Sequence, residues 1–342
     1  MKSKILINGI GRIGKAVLKQ LLDDEEFEII SINEINPSVE NIVYSINYDS
    51  TYGKLDDKFK VIENNFIQNK KSKIKITNFK DISKLDLSNI DILIDSSGQK
   101  VDISELKSLK VDKIILTHPE KLADINLVLG VNEEKFDIKN HKIISTSSCN
   151  ATALLPALKL IDDKKEILCG DIVTIHPLLN HQRVLDGSFV QSATRDVDLN
   201  FEFGRSSTQN IIPSQTTTIK ACSYVLEKFN SNLISSNSLR VPTDTVGAIN
   251  VTLFTKEISS KDEISNLFLE FEKNQKFPIV LNNFEALVSS DFKKEKFTTI
   301  VDHRFLDVKN NMIKLLLWYD NEWGYASKVV EILKYIKIKK AR

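Results

Sequence analysis

The sequence predicts an α/β protein in which a doubly wound parallel sheet is followed by an α+β unit with a mainly antiparallel sheet. Three observations predict it. Through the first third, β-branched apolar runs alternate with helical periods, the order that a parallel sheet with crossover helices requires. At 342 residues the chain exceeds one ordinary core, which favours two domains. After Cys149 a helical stretch gives way to longer runs of strand character, as in an antiparallel sheet carrying helices on one face.

Taken in order, Lys4 to Asn8 reads as a strand, Arg12 to Leu22 as a helix and Glu28 to Asn33 as the next strand. Asp91 to Asp95, Lys113 to Thr117 and Lys142 to Ser145 are further strands, with Ser104 to Leu109 helical. From Cys149 a helix runs to about Asp162. Strands are expected at Asp171 to Ile175, Ala248 to Thr255 and Met312 to Tyr319, and helices at Gln215 to Lys228 and Lys261 to Lys273. In Gly324 to Lys337 the apolar residues Val329, Val330, Ile332, Leu333 and Ile336 fall at helical spacing, so this last segment should pack against a core.

Apolar residues make up 42% of the chain and charged ones 27%, which suits a soluble globular protein. With 47 basic and 46 acidic side chains, no global field favours nucleic acid or an anionic membrane, so an anionic ligand has to be held locally. No apolar run approaches the roughly 20 residues of a membrane span, and the start of the chain lacks a secretory pattern. Cys149, Cys169 and Cys222 have neither metal-binding nor disulfide spacing, so no metal site and a reducing cytoplasm are expected. The run holding Asn64, Asn65, Asn69, Lys70, Lys71 and Lys73 reads as a solvated face.

Gly9, Gly11 and Gly14 form Gly-x-Gly-x-x-Gly between the first strand and the first helix, the setting of a Rossmann-type dinucleotide turn. Gly9 permits the tight turn, Gly11 lets backbone approach a pyrophosphate, and Gly14 lets the helix close on the sheet. N–H groups at the helix start favour phosphate there. Glu34 ends the second strand, where a carboxylate accepts from ribose hydroxyls and repels a 2′-phosphate; this favours NAD over NADP. Glu34 is also explicable as a loop cap.

Cys149, in Ser147-Ser148-Cys149-Asn150-Ala151-Thr152, falls between a strand and a helix, and a helix N-terminus favours thiolate over thiol. Thr174-Ile175-His176 ends another strand and supplies an imidazole that could meet the sulfur, the usual means of activating a thiol. On spacing alone, a small buried cysteine and a structural histidine remain open.

Asn8-Gly9-Ile10-Gly11-Arg12-Ile13-Gly14, the Ser148-Cys149 turn, Thr174-Ile175-His176, Gln209-Asn210-Ile211-Ile212-Pro213, Arg240-Val241-Pro242-Thr243 and Trp318-Tyr319-Asp320-Asn321-Glu322-Trp323-Gly324-Tyr325 resemble the glyceraldehyde-3-phosphate dehydrogenase family in content and order. The resemblance spans nearly the whole chain. It implies an NAD-binding domain over residues 1–148, joined by a C-terminal helix at 320–342, and a catalytic domain over 149–319. By the same resemblance, Cys149 is the nucleophile, His176 the base, and Gly9, Gly11, Arg12, Ile13, Gly14, Glu34, Ser97, Thr117 and Asn321 bind the cofactor. Asn321 would orient the nicotinamide amide. Ser148, Asn150, Thr216, Arg240 and His181 would face substrate. The partners implied are a small phosphorylated aldehyde and inorganic phosphate, in a homotetramer, with no nucleic acid.

The sequence departs from the family's pattern at its anion pockets. Leu179 stands where a threonine is usual, His181 where an aspartate is usual, Asn150 for a threonine and Thr217 for a glycine. Glu202 and Phe203 replace a basic pair before Gly204-Arg205, and Ala153 replaces a frequent second cysteine. Losing a hydrogen bond to a charged phosphate costs on the order of 1.5–3 kcal/mol, so Leu179 would weaken a phosphate contact about tenfold or more. Glu34 after Asn33, Thr117-His118-Pro119 and Leu179 are similar to the erythrose-4-phosphate dehydrogenase branch. An NAD-binding paralogue with a regulatory role is the other reading. Arg183 matches a family arginine, or anchors the loop from Pro177 to Arg205. His181 is a phosphate donor or a solvated loop histidine.

Overall fold

The computed structural model describes residues 2–63, 65–100, 102–188 and 201–341. Asn64 of the expected solvated run, and residues 189–200 of the loop from Pro177 to Arg205, lie outside the described residues. The chain divides into two compact units. Unit 1 comprises residues 1–127, 135–146 and 326–342, and unit 2 comprises 128–134 and 147–325.

Unit 1 opens with β1 (Ser3–Asn8), α1 (Arg12–Leu21), β2 (Phe27–Asn33) and α2 (Val39–Asn47). The short strands β3 (Lys60–Ile62), β4 (Phe66–Gln68) and β5 (Lys73–Thr77) follow, then β6 (Ile92–Asp95), α3 (Ile103–Ser108), β7 (Lys113–Leu116), β8 (Ile125–Asn126) and β9 (Ile143–Ser145). These build a nine-stranded sheet in the order β3-β4-β5-β2-β1-β6-β7-β9-β8. It is parallel from β5 through β8, and β4 runs antiparallel to β3 and β5. The chain departs from β1 toward β2 and later returns on its other side with β6, so the sheet is doubly wound and its switch point lies at β1 and β6. Leu6, Leu93, Ile114, Leu116 and Ile143 pack with Leu106 and Leu109 into one apolar cluster, which explains why these strands read as unbroken apolar runs.

In unit 2, α4 (Cys149–Lys165) leads into β10 (Ile167–His176). Then come β11 (Ile212–Ser214), α5 (Thr218–Val225), β12 (Ile234–Arg240), β13 (Gly247–Thr255), α6 (Lys261–Asn274), β14 (Val280–Asn283), β15 (Thr299–Asp302), β16 (Asp307–Lys309) and β17 (Met312–Tyr319). The sheet order is β11-β12-β10-β13-β17-β15-β14, with β16 beside β17. The β10–β12 and β14–β15 pairs are parallel and the rest antiparallel, so the sheet is mainly antiparallel as expected. In α4, Ala151, Ala153, Leu154, Leu155, Ala157, Leu158 and Ile161 are fully buried; a helix apolar on several sides forms the interior of its unit. Helix α6 starts with a reciprocal capping box between Ser260 and Glu263. The last helix, α7 (Trp323–Lys340), has its residues from Ala326 onward in unit 1, where Val329, Val330, Ile332, Leu333 and Ile336 are buried.

Most predicted elements agree with the structure to within a few residues. The helix expected at Gln215 to Lys228 is the shorter α5, three residues in from each end. Among the described residues, no helix is long and apolar enough to cross a membrane, and no cluster of His, Cys, Asp or Glu could hold a metal ion.

Asp49 gives unit 1 an acid-sensitive anchor. Its carboxylate, 2% exposed, accepts from Arg12 at 2.8 Å and Lys15 at 3.3 Å. Burial alone would raise its pKa, but the Tyr52 N–H and the two cations outweigh burial and hold it at about 2. Because the folded value lies below the unfolded one, the stabilisation is complete above the unfolded pKa and fades as pH falls toward the folded one. Asp49→Asn should therefore cost about 2 kcal/mol at neutral pH. Urea titrations should show the gap to the wild type closing between about pH 4 and about pH 2.

Candidate functional site

In unit 1 the predicted cofactor residues gather at the C-terminal ends of neighbouring parallel strands. Gly9 follows β1, Glu34 follows β2, Ser97 lies just past β6 and Thr117 follows β7. Gly9 has φ +88°, and a Cβ there would come within 2.5 Å of the Ser97 backbone. A Cβ on Gly14 would meet the Gly9 carbonyl at 2.1 Å, so Gly14 is demanded by the close approach of α1 to the turn and Gly9 by the chain that follows β6. Gly11 differs: a Cβ there meets nothing within 4 Å, so the protein itself does not require glycine, and the space is open to a ligand at the helix start. Gly11 is the N-cap of α1 and provides no side-chain bond, which leaves the first-turn N–H groups without that partner. This turn fits a dinucleotide.

Glu34 accepts from the Ile10 N–H at 2.9 Å and, more weakly, from the Asn36 N–H at 3.4 Å. Its carboxylate is thereby oriented beside the glycine turn. These two bonds answer to the loop-cap reading of Glu34. Ser97 Oγ accepts from Gln99 N, and Thr117 hydrogen-bonds the Asp95 carbonyl through both N–H and hydroxyl. Arg12, the first residue of α1, is turned to Asp49 and lies over the Tyr52 ring, while Ile13 is half-buried in the same turn.

In unit 2, Ser148 caps α4 by accepting from Ala151 N at 3.2 Å, which places Cys149 at the first helical position. His176 ends β10, and its Nε2 lies 3.8 Å from Cys149 Sγ. The His176 Nδ1–H donates to the Pro177 carbonyl at 2.9 Å. That bond fixes the tautomer, so Nε2 faces the sulfur as an acceptor. In the parallel β10–β12 pair, His176 is in register with Arg240, which brings the guanidinium to the same end of the sheet.

Burial pushes Cys149 up to about 11, against the attraction of Arg240 and of the Asn150 and Cys149 N–H groups. At the helix start this attraction is set against the desolvation of a sulfur anion. Cys149 still keeps partial exposure, whereas Cys222 is buried and Cys169 exposed at a distance in sequence from the pair.

Asn150 is buried beside the sulfur rather than presented at a surface. Its Oδ1 accepts from Tyr319 at 2.5 Å and lies 3.6 Å from Cys149 Sγ, and its Nδ2 donates to Thr218 Oγ1 at 2.9 Å. Both ends of the amide are thus engaged within the unit. Thr216 hydrogen-bonds Thr218 at 2.6 Å and so joins this group. Asp320 accepts from the N–H groups of Glu322 and Trp323, which sets the turn into α7 and the place of Asn321. Asn321 Oδ1 accepts from Val246 N at 3.0 Å and Thr245 Oγ1 at 3.3 Å. Val246 has φ 66°, a conformation costly for a β-branched residue, and Asn321 holds it there. With its oxygen fixed, Asn321 Nδ2 is oriented as a donor.

His181 sits edge-on to Phe203 with ring centroids 5.6 Å apart. Leu179, which has no hydroxyl, gives its N–H to Gln182 Oε1 at 2.7 Å. Arg183 donates to the Ser188 carbonyl, so it anchors its loop. Sequence reasoning missed Tyr319, Thr218 and the Pro177 carbonyl as parts of the site. Tyr319 lay inside a motif already singled out, whereas the other two carry no signal apart from their tertiary partners.

Two family models match the chain: the C-terminal domain of glyceraldehyde 3-phosphate dehydrogenase over residues 148–321, and its NAD binding domain over residues 3–103. The chain is 31% identical to glyceraldehyde-3-phosphate dehydrogenase 1 of Bacillus subtilis (strain 168), with 98% of each covered. It is 32% identical to the glyceraldehyde-3-phosphate dehydrogenase of Priestia megaterium, over 99% of each. The Buchnera aphidicola subsp. Schizaphis graminum protein of that name is 34% identical over 99% of this chain and 100% of its own.

Proposed function

Because the chain belongs to the glyceraldehyde-3-phosphate dehydrogenase family and is an NAD-dependent oxidoreductase, we propose that it oxidises glyceraldehyde 3-phosphate, or a closely related aldehyde, to an acyl phosphate through a thioester on Cys149. The observation that carries this reading is the Cys149 sulfur facing an acceptor nitrogen of His176 at 3.8 Å. An alcohol dehydrogenase has no use for that pair.

The S–H proton passes to His176 Nε2 as a sulfur lone pair bonds the aldehyde carbon and the carbonyl π electrons move onto oxygen. The new Nε2–H and the Cys149 N–H then donate to that oxygen. NAD, when bound, supplies the two-electron acceptor for the hydride that leaves the former aldehyde carbon. With the hydride gone, the oxygen lone pair re-forms C=O and Cys149 carries a thioester, which keeps the oxidation energy available for phosphoryl capture. A phosphate oxygen attacks the thioester carbon, the C–S bond breaks, and the sulfur recovers its proton from His176. The proton of the phosphate leaves to solvent. Arg240 and the Ser148 and Thr216 hydroxyls supply the charge and donors for anions, and Asn321 Nδ2 is the donor for a carboxamide.

This reading assigns residues 1–148, with the helix at 320–342, to cofactor binding and 149–319 to catalysis, in a cytoplasmic homotetramer. A second reading, oxidation of erythrose 4-phosphate, is favoured by Leu179, whose side chain donates nothing and whose N–H is already given to Gln182. NADH formation should be measured with glyceraldehyde 3-phosphate and with erythrose 4-phosphate, each with and without phosphate. Phosphate-dependent turnover is the expected result, and the faster substrate chooses between the two readings. Equal rates without phosphate would exclude an acyl phosphate product. NAD binding with no NADH burst on any aldehyde would leave a regulatory paralogue.

A further inference from the structure

Four neighbouring parallel strands of unit 1 end on a polar residue: Thr77 on β5, Asn33 on β2, Asn8 on β1 and Asp95 on β6. They stand in register, in one row across the sheet. Asn8, Asn33 and Asp95 are buried, so their side chains have to bond one another or the backbone. We propose that Asn8 is a positioning residue, whose amide ties the Glu34 side of the glycine turn to Ser97 and so holds the two halves of the NAD cleft at the spacing that the whole dinucleotide needs.

The direction of every bond in the row is fixed by backbone groups at one end. The Phe79 N–H donates to Asn33 Oδ1 at 2.9 Å and Asn33 Nδ2 donates to the Phe79 carbonyl at 2.9 Å, which identifies the two ends of that amide. The second Nδ2 proton of Asn33 goes to Asn8 at 2.7 Å, so the atom that takes it is Oδ1. Asn8 Nδ2 then faces Asp95 Oδ1 at 3.0 Å and donates to it. The same oxygen accepts from the Ser97 N–H at 3.2 Å. Asp95 Oδ2 is buried without a hydrogen-bond partner among the described residues, so Oδ1 carries both bonds.

The row crosses the point where the sheet changes its winding direction, between β1 and β6. In such folds a dinucleotide spans that point, with one mononucleotide on each side. On the β2 side, the Gly9 N–H donates to the Asn33 carbonyl at 2.8 Å, and Glu34 accepts from Ile10 in the turn. On the β6 side, the Ser96 N–H bonds the Asn8 carbonyl at 2.8 Å, and the next N–H, that of Ser97, goes to the Asp95 side chain. Losing the Asn8 link therefore loosens the Ser97 side and leaves the Glu34 side in place. A cleft with one loose wall has to be ordered when the whole dinucleotide binds, and that cost comes out of its affinity. AMP, which needs the Glu34 side alone, does not meet it.

The test is calorimetry of NAD and of AMP on full-length wild type, Asn8→Asp, Asp95→Asn and Asp95→Ala. Asn8→Asp keeps the acceptor for Asn33 but sets an acceptor against Asp95 Oδ1. NAD should bind it at least about tenfold more weakly, with AMP within about threefold of the wild type. Asp95→Asn keeps an acceptor for Asn8 and Ser97, so NAD should stay within about threefold. A merely structural residue would weaken both ligands by the same factor. Equal losses of NAD and AMP, or no loss, in Asn8→Asp would overturn the proposal. So would a loss in Asp95→Asn as large as in Asp95→Ala, which would make the charge and not the acceptor the cause. If Asn8→Asp does not fold, the Asp95 pair decides: a loss of NAD but not AMP in Asp95→Ala, absent from Asp95→Asn, supports the proposal, and any other pattern refutes it. The inference rests on the glycine turn being the cofactor site. A wild type that binds neither NAD nor AMP would refute that assignment and the proposal with it, whereas ordinary wild-type binding with equal losses in Asn8→Asp refutes the proposal alone.

Discussion

Cys149→Ser should lower NADH formation at saturating aldehyde by at least about 10³-fold, while NAD affinity and melting temperature stay near the wild type. Oxygen for sulfur is close to isosteric, so the cap at Ser148 and the start of α4 should be kept. The chemistry is what suffers. A serine hydroxyl is a far weaker acid than a thiol, so His176 has little prospect of taking its proton as the carbonyl is attacked. The ester that would follow is also a poorer acyl donor than a thioester, so release to phosphate is slowed as well. Single-turnover NADH formation, with calorimetry of NAD binding, separates the two properties. A serine variant that keeps a tenth or more of wild-type turnover would remove Cys149 from the mechanism.

The loss on replacing His176 by Asn should be about 10²–10⁴-fold in kcat, with substrate KM much less affected. With the thiol held up to about 11 by burial, the sulfur depends on a base that receives its proton during attack. The sign of the pH dependence follows from that value. Below it the thiolate fraction rises about tenfold per pH unit, so turnover of His176→Asn should climb steeply with pH, whereas the wild type, with its own base, should climb less. Free imidazole should restore part of the lost rate at neutral pH. No rescue, together with a pH profile parallel to the wild type, would show that His176 does not handle this proton.

How much of this was legible depended on how far apart in the chain the causes lie. The glycine turn could be read because its spacing falls within one strand-turn-helix segment, and the structure bears out the demand for glycine at Gly14, against the Gly9 carbonyl, and at Gly9, against the Ser97 backbone that follows β6. Gly11 is required by nothing in the chain itself, which is why its reading needed a ligand. The apolar runs of β1, β6, β7 and β9 were visible because both faces of a parallel sheet are covered. Strand β12, Ile-Ser-Ser-Asn-Ser-Leu-Arg, carries few apolar residues and was not anticipated. It is a strand because β10 and β11 supply its hydrogen bonds, and it delivers Arg240 to the side of His176.

The same distinction divides the site. Sequence alone determined a nucleotide-binding turn, a cysteine at the start of a helix and a histidine at the end of a strand, since each follows from neighbours within a few residues. Only the tertiary structure decided the burial around that cysteine and the partners of Asn150. Burial of the sulfur is a property of the packed unit, and the hydroxyl that engages Asn150 comes from Tyr319, 169 residues further along the chain. Local propensity has no access to a desolvation cost or to a hydrogen bond of that reach. The hydrogen bond is made where β13 and β17 pair and bring Gly247 and Tyr319 face to face.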